Sequence, residues 1–216
     1  MRNTKGNVPM KLACLLLILV MLTTYMTSGL YARYVATGTG EDSARVIKFH
    51  KIALRDTDKK IIITPGVPST RDVAVSFDGS EATTYIFVEM ELSNHWSVSN
   101  NGRDFNVRAN STNYISFSID TTKWGYMAKY SGSNKYIYYF KGANTVDGVL
   151  QPNNTVSFDQ ANILANAGTI TVSDRLTMSY FKNLAGLSME FRATAVQANG
   201  FEDIDEAWES IAAKGL

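Results

Sequence analysis

Cysteine is almost absent from this chain of 216 residues: Cys14 is the single one. Disulfide stapling and thiol catalysis therefore have no material to work with beyond that position. Histidine occurs only at His50 and His95, and proline four times. A zinc-protease HExxH pair is missing, and neither histidine has a second His or Cys at ligand spacing. Charge of one sign is missing too. Lys and Arg number 21 against 20 Asp and Glu. Arg2, Lys5 and Lys11 fall in the first 32 residues, which hold no acid, so the remaining 184 residues carry 18 basic and 20 acidic groups, a charge of −2. Such a body has no basic footprint for nucleic acid, and none is expected as a partner. At 45% hydrophobic and 19% charged residues the chain is a globular one rather than a disordered one. A body of 184 residues buries roughly 70% of the surface its unfolded chain exposes.

What is present begins with an address. A basic stretch is followed by the apolar run Leu12 to Leu22 and then by TTYMTSGLYA, the layout of a signal peptide over residues 1–32. No charge occurs from Leu12 to Ala32, a length that also suits a membrane anchor, but the strongly apolar part is too short for a span, which favours cleavage. Small residues at −3 and −1 place one candidate cut after Gly29, before Leu30, and another between Ala32 and Arg33, with Leu30 as an imperfect −3 residue. Contact with the membrane is expected only through the uncleaved signal. Cys14 precedes most of the apolar run and reads as a small hydrophobe of the signal, which leaves the exported body without cysteine, as suits a Gram-positive exported protein. Residues 33–43, rich in Thr and Gly, read as an extended segment.

From Ala44 onward the dominant period is two. Val73, Val75 and Phe77 alternate on one strand, Ile86, Val88, Met90 and Leu92 on another, and Ile115, Phe117 and Ile119 on a third. Further strands are predicted over Val46 to Leu54, Lys60 to Thr64, Lys123 to Tyr130, Lys135 to Lys141, Thr169 to Tyr180 and Ser188 to Ala198. Turn signals punctuate them, among them TPGVP from Thr64, SNNGRD from Ser99 and SGSN from Ser131. About nine strands without interleaved helices predict an all-β sandwich or barrel over residues 44–216. One helix is predicted at 203–214, where Ile204, Ala207, Trp208, Ile211 and Ala212 share a face, Asp203 and Glu206 open it and Gly215 stops it.

No catalytic, metal or cofactor-binding residue is predicted. His95, beside Trp96 and near Glu89 and Glu91, reads as a hydrogen-bonded loop histidine. The aromatic hairpin formed by WGYMAKY and KYIYYF supplies candidate contact residues, Tyr126, Tyr130, Tyr136, Tyr138 and Tyr139, for stacking on a glycan or for a protein contact. Ordinary cross-strand pairing is the favoured reading, because at least one face of such a ribbon has to be core.

Several blocks together resemble the TasA and camelysin family of exported proteins with SipW-type signal peptides. They are SGLYARYVATGTGEDSARVIKF from Ser28, ITPGVPSTRDVAVSFDGSEATTYIFVEMEL from Ile63, KYIYYFKGANTVDGVLQPNNTVSF from Lys135 and FRATAVQANGFEDIDEAWESI from Phe191. The resemblance implies a jelly-roll-like β-sandwich, processing by a signal peptidase, and a secreted or cell-surface structural protein of the biofilm matrix that self-associates into extracellular fibres or joins other matrix proteins. It further implies that Arg33, Tyr34, Val35 and Ala36 act as a donor strand for the next subunit; a frayed terminus is the plain alternative. Two other functions stay open, a camelysin-like surface metalloprotease and a glycan-binding surface module.

Maturation is checked by mass spectrometry of the exported protein. Its first residue is expected between Leu30 and Tyr34, with Arg33 preferred. A product that keeps Met1 or begins beyond Ala44 contradicts the signal reading.

Overall fold

The computed structural model describes residues 51–57, 62–109 and 111–213. The signal segment, Cys14, His50, Gly215 and the segment Arg33, Tyr34, Val35 and Ala36 lie outside them. The architecture is all-β with a small C-terminal helix. Thirteen short strands are found among the described residues: β1 (Ile52–Asp56), β2 (Ser69–Thr70), β3 (Val73–Phe77), β4 (Thr84–Leu92), β5 (Trp96–Ser99), β6 (Asp104–Ala109), β7 (Thr112–Ser118), β8 (Trp124–Tyr126), β9 (Lys135–Phe140), β10 (Thr145–Val146), β11 (Val149–Leu150), β12 (Thr169–Val172) and β13 (Met189–Gln197). They are followed by one helix of nine residues (Ile204–Ala212).

Strand β4 organises the larger sheet. Six strands run β10-β11-β4-β9-β8, with β13 pairing β4 along its whole length. Five others form a second sheet in the order β2-β12-β7-β6-β5, and β1 pairs β3 in a short two-stranded ribbon. The inward side chains of both larger sheets meet in one core, sandwich-like. Val88 and Met90 of β4 and Tyr136, Tyr138 and Phe140 of β9 face Phe105, Val107, Ile115 and Phe117 of the other sheet, and the rings of Phe105 and Tyr136 stand edge to face at 4.9 Å. The buried indoles keep their N–H groups bonded: Trp124 donates to the Asn162 carbonyl at 3.0 Å and Trp96 to that of Ser188 at 3.2 Å.

The opposite face of β4 is covered as well. Tyr85 and Phe87, with Ile137 of β9 and Val196 of β13, form a second core under Ala207, Trp208 and Ile211. That helix, α1 (Ile204–Ala212), starts where Asp203 accepts a hydrogen bond from the Glu206 amide at 2.8 Å, while the Glu206 carboxylate accepts one from the Glu202 amide at 2.8 Å. Its observed bounds are narrower than 203–214 because Asp203 is the cap and Ala213 closes the last turn. A polar staple holds its far side: the Tyr130 hydroxyl donates to Glu209 at 2.7 Å and Lys129 lies 3.0 Å from the same oxygen. These contacts, Tyr130 foremost, hold the Glu209 carboxyl below its usual range.

Several expected strands are shorter or displaced. Of the run predicted from Val46, the described part is strand from Ile52, and residues 46–50 lie outside the described ones. The run from Lys123 is a strand only to Tyr126, because Ala128–Tyr130 closes into a 3₁₀ turn that brings Tyr130 to the helix. The run from Thr169 ends at Val172 and gives way to a turn and the short helical segment Met178–Phe181, since the Ser173 hydroxyl bonds locally, to Asp174 and the Arg175 amide, where an extended chain would continue the ladder. The short strands β2, β10 and β11 escaped the alternation analysis, and so did β5 and β6. These last two flank SNNGRD, whose Asn100, Asn101 and Gly102 all sit at positive φ, 50°, 52° and 72°, so the turn signal was the legible part of that hairpin. The Ser118 hydroxyl, donating to Asp104 at 2.6 Å, and then Asn100 and Arg103 hold the Asp104 carboxyl below its ordinary range. Asp104 therefore supports the hairpin above the unfolded carboxylate pKa and loses that contribution as the pH falls through its depressed folded value.

Removing the central side chain of the second core tests how far α1 belongs to the fold. Trp208 is 7% exposed and lies 5.3 Å from the Phe87 ring. Trp208→Ala is expected to destabilise the protein by about 3 kcal/mol in urea unfolding. A loss near zero means that α1 packs only loosely on the sheet.

Candidate functional site

The tyrosines proposed as contact residues are already occupied. Tyr136 and Tyr138 are 7% and 1% exposed, because both point into the main core. The Tyr138 hydroxyl donates to the Gly102 carbonyl at 2.7 Å, and burial pushes this phenol far above its usual range. Tyr126 lies against Gly102, where a Cβ would come within 2.4 Å of the ring, and Tyr139 covers Gly125, where a Cβ would come within 2.2 Å. Tyr130 belongs to the helix staple. The hairpin is thus core on both faces, Tyr136, Tyr138 and Phe140 on one and Ile137 and Tyr139 on the other, and offers no open row of rings to a sugar.

His95 accepts or donates locally, with Nδ1 3.3 Å from the Ser93 hydroxyl and Nε2 3.2 Å from the Asn183 carbonyl. Among the described residues no group of three or more His, Cys, Asp and Glu side chains is placed to hold a metal ion. Glu89 shares the outer face of the large sheet with Phe87, beyond the reach of α1, and is paired by Lys135 at 3.1 Å and Arg192 at 3.7 Å.

The chemistry that the sequence did not signal lies at the end of β1 and the start of β13. A cavity of about 730 Å³ opens there, lined by Asp56 at the end of β1, by Arg71 just after β2, and by Met189, Glu190 and Phe191 at the start of β13. Trp96, Phe181, Leu184 and Leu187 supply apolar walls. At its floor Arg71 holds Asp56 in a bidentate pair, Nε to Oδ1 at 2.9 Å and Nη2 to Oδ2 at 2.8 Å, with the two side chains 3% and 10% exposed. The guanidinium also lies 5.3 Å from the centre of the Phe191 ring.

Backbone geometry fixes Arg71 in place. Its amide donates to the Gly168 carbonyl at 2.9 Å, and Gly168 sits at φ +78° so close to the Arg71 carbonyl that a Cβ would lie 2.2 Å from it. Glycine is needed there on both counts. Asn166 and Ala167 just before it are also left-handed, at φ 52° and 55°, so the segment leading to this glycine is a tight left-handed turn. Among the described residues the hydrogen bonds of the Arg71 side chain are those of Nε and Nη2 to Asp56.

Beside the cavity runs the second edge of β13. Strand β13 pairs with β4 over nine residues and, among the described residues, has no partner on its other side. Strand β1 lies alongside it without ladder bonds among those residues. The chain matches no family model, no curated protein and no solved structure.

A buried pair of this kind resists the loss of one member more than the loss of both. Arg71→Met is expected to cost about 3 kcal/mol in urea unfolding, because it strands the Asp56 carboxylate. Arg71→Met combined with Asp56→Leu is expected to recover most of that loss. A double variant as unstable as the single one means that the stabilisation comes from the guanidinium's packing on Phe191, not from the pair.

Proposed function

We propose that this is an exported, jelly-roll-like matrix protein of a Gram-positive bacterium that self-assembles by strand addition after a SipW-type signal peptidase has removed residues 1–32. The single observation that carries this reading is the nine-residue edge of β13, paired on one side only among the described residues. Edges this long are normally shortened, bulged or covered, since they template pairing with other chains. Glu190 and Arg192 are the exposed side chains of β13, and β1 lies alongside the strand without ladder bonds among the described residues.

The segment Arg33–Asp42 is the strand offered in return. Its Thr and Gly content gives it too little apolar surface to fold by itself, while its backbone can complete a ladder. Signal cleavage then acts as the assembly switch, because an uncleaved chain keeps the segment at the membrane. The resemblance to TasA and camelysin points the same way. A glycan-binding role has less support, as the tyrosine hairpin is consumed by packing.

Two proteins, one beginning at Arg33 and one at Ala44, separate the strand from the domain. Circular dichroism is expected to find both folded, whereas sedimentation and electron microscopy are expected to find filaments only for the first. Equal polymerisation of the two removes the donor role of Arg33 to Ala36.

A further inference from the structure

The exposed apolar side chains are concentrated in one place. Among the described residues six large ones stand out, and four of them, Ile62, Val67, Met178 and Phe181, at 78%, 53%, 73% and 40% exposure, belong to two loops that touch. Residues 62–68 lead into β2, and residues 173–182 follow β12. Because β2 pairs β12 antiparallel, with Ser69 opposite Ile170, both loops leave the second sheet at the same end. A Cβ on Gly66 would lie 3.4 Å from that of Asp174, and Ile63 and Phe181 line one cavity. A grouped patch of this kind marks a contact surface, which single exposed residues do not. Neither loop offers a ladder to a strand. Pro65 and Pro68 have no N–H, and Val67 donates its own to the Thr64 carbonyl at 3.0 Å. In the second loop Thr177 accepts from the Tyr180 amide through its hydroxyl at 3.3 Å and from the Phe181 amide through its carbonyl at 2.9 Å. Backbone already bonded in this way suits a medium that supplies no hydrogen-bond partners.

The charges around the patch narrow the occupant. No charged residue occurs from Ile62 to Thr70 or from Leu176 to Phe181, and the two loops carry Arg175 and Lys182 against one acid, Asp174. Arg108, exposed opposite Asn113 at the adjoining end of β6 and β7, adds a third cation; there the neighbouring Tyr114 lies 4.4 Å from the Tyr180 ring. The sequence DKKI just before Ile62 adds positive charge rather than cancelling it. An uncharged apolar tip thus stands in a cationic collar, on a body of residues 33–216 whose charge is −2. A second copy of the chain would set these cations against themselves, and four side chains fall short of the ~800 Å² per partner that a standard interface buries. An anionic bilayer answers both properties, since apolar groups enter its interfacial layer while Lys and Arg stay with the phosphates. We propose that this end of the molecule is a membrane-docking surface on which Ile62, Val67, Met178 and Phe181 enter the interface of an anionic bilayer and Arg108, Arg175 and Lys182 meet its phosphates. The contact makes no use of the N-terminal segment or of strand addition. The sequence by itself located lipid contact only in the run Leu12 to Leu22.

Flotation with lipid vesicles tests this on the protein beginning at Arg33, which lacks the apolar run and contains the compact unit from Gly40 onward. Vesicles of equal parts phosphatidylglycerol and phosphatidylcholine are expected to carry it upward, and vesicles of phosphatidylcholine alone to bind about tenfold or more weakly. Val67→Ser combined with Met178→Ser, with folding checked by circular dichroism, is expected to weaken binding to the anionic vesicles about tenfold or more. Arg175→Gln combined with Lys182→Gln is expected to weaken it several-fold and to flatten its dependence on salt. Residues 33–216 contain no cysteine, so Met178→Cys and, as a control in the β10–β11 hairpin, Val146→Cys each take a single polarity-sensitive dye. Anionic vesicles are expected to shift the emission to the blue at position 178 and not at 146. An equal shift at both positions, or binding that the serine pair leaves unchanged, overturns the docking surface. Absence of binding to either kind of vesicle overturns it as well and assigns the patch to a protein partner, while strand addition stands in every case.

Discussion

Strand β4 is buried on both of its faces, and the rest of the molecule is arranged around that constraint. Alternate residues of one nine-residue strand serve two separate cores: Ile86, Val88, Met90 and Leu92 the space between the sheets, Tyr85 and Phe87 the space under α1. A strand of this kind has to be central, because each backbone donor and acceptor needs a neighbour out of water. It gets them from β13 along its whole length and from β9 and β11 in turn on the other side. The helix is likewise a consequence of β4, since without α1 the rings of Tyr85 and Phe87 would face solvent. Where α1 ends, the same face becomes polar and Glu89 finds its two cations.

The place of β13 follows from the same arrangement. Its inward side chains, Met189 and Phe191, are needed in the core, which keeps the strand in the sheet. Its outer hydrogen-bonding edge has no equivalent neighbour among the described residues. The apolar demands of the core are met by the facing sheet and the backbone demands of one edge by β4. The cavity at the strand's first residues and the ion pair beneath it lie where β1, the end of β2 and the loop around Phe181 and Leu184 converge on that edge.

The period-two alternation of β3, β4, β7 and β9, the turns at SNNGRD and SGSN, and the amphipathic helix with Asp203 at its start were all set by the sequence alone, because each depends on residues within one or two turns of chain. So was the all-β class. Tertiary structure decided what alternation leaves open: that both faces of KYIYYF are core, that the chain after Tyr126 turns to bring Tyr130 to Glu209, and that β5 and β6, short and half polar, count as strands at all. The candidate site belongs wholly to this second kind. Asp56, Arg71, Trp96, Phe181 and Glu190 are scattered over more than half of the chain, and no local pattern marks any of them. A period specifies which face a side chain takes, not which strand it meets. The pairing of distant strands is chosen by the collective burial of the core, and only that choice brought one arginine, one aspartate and the start of β13 to the same cavity.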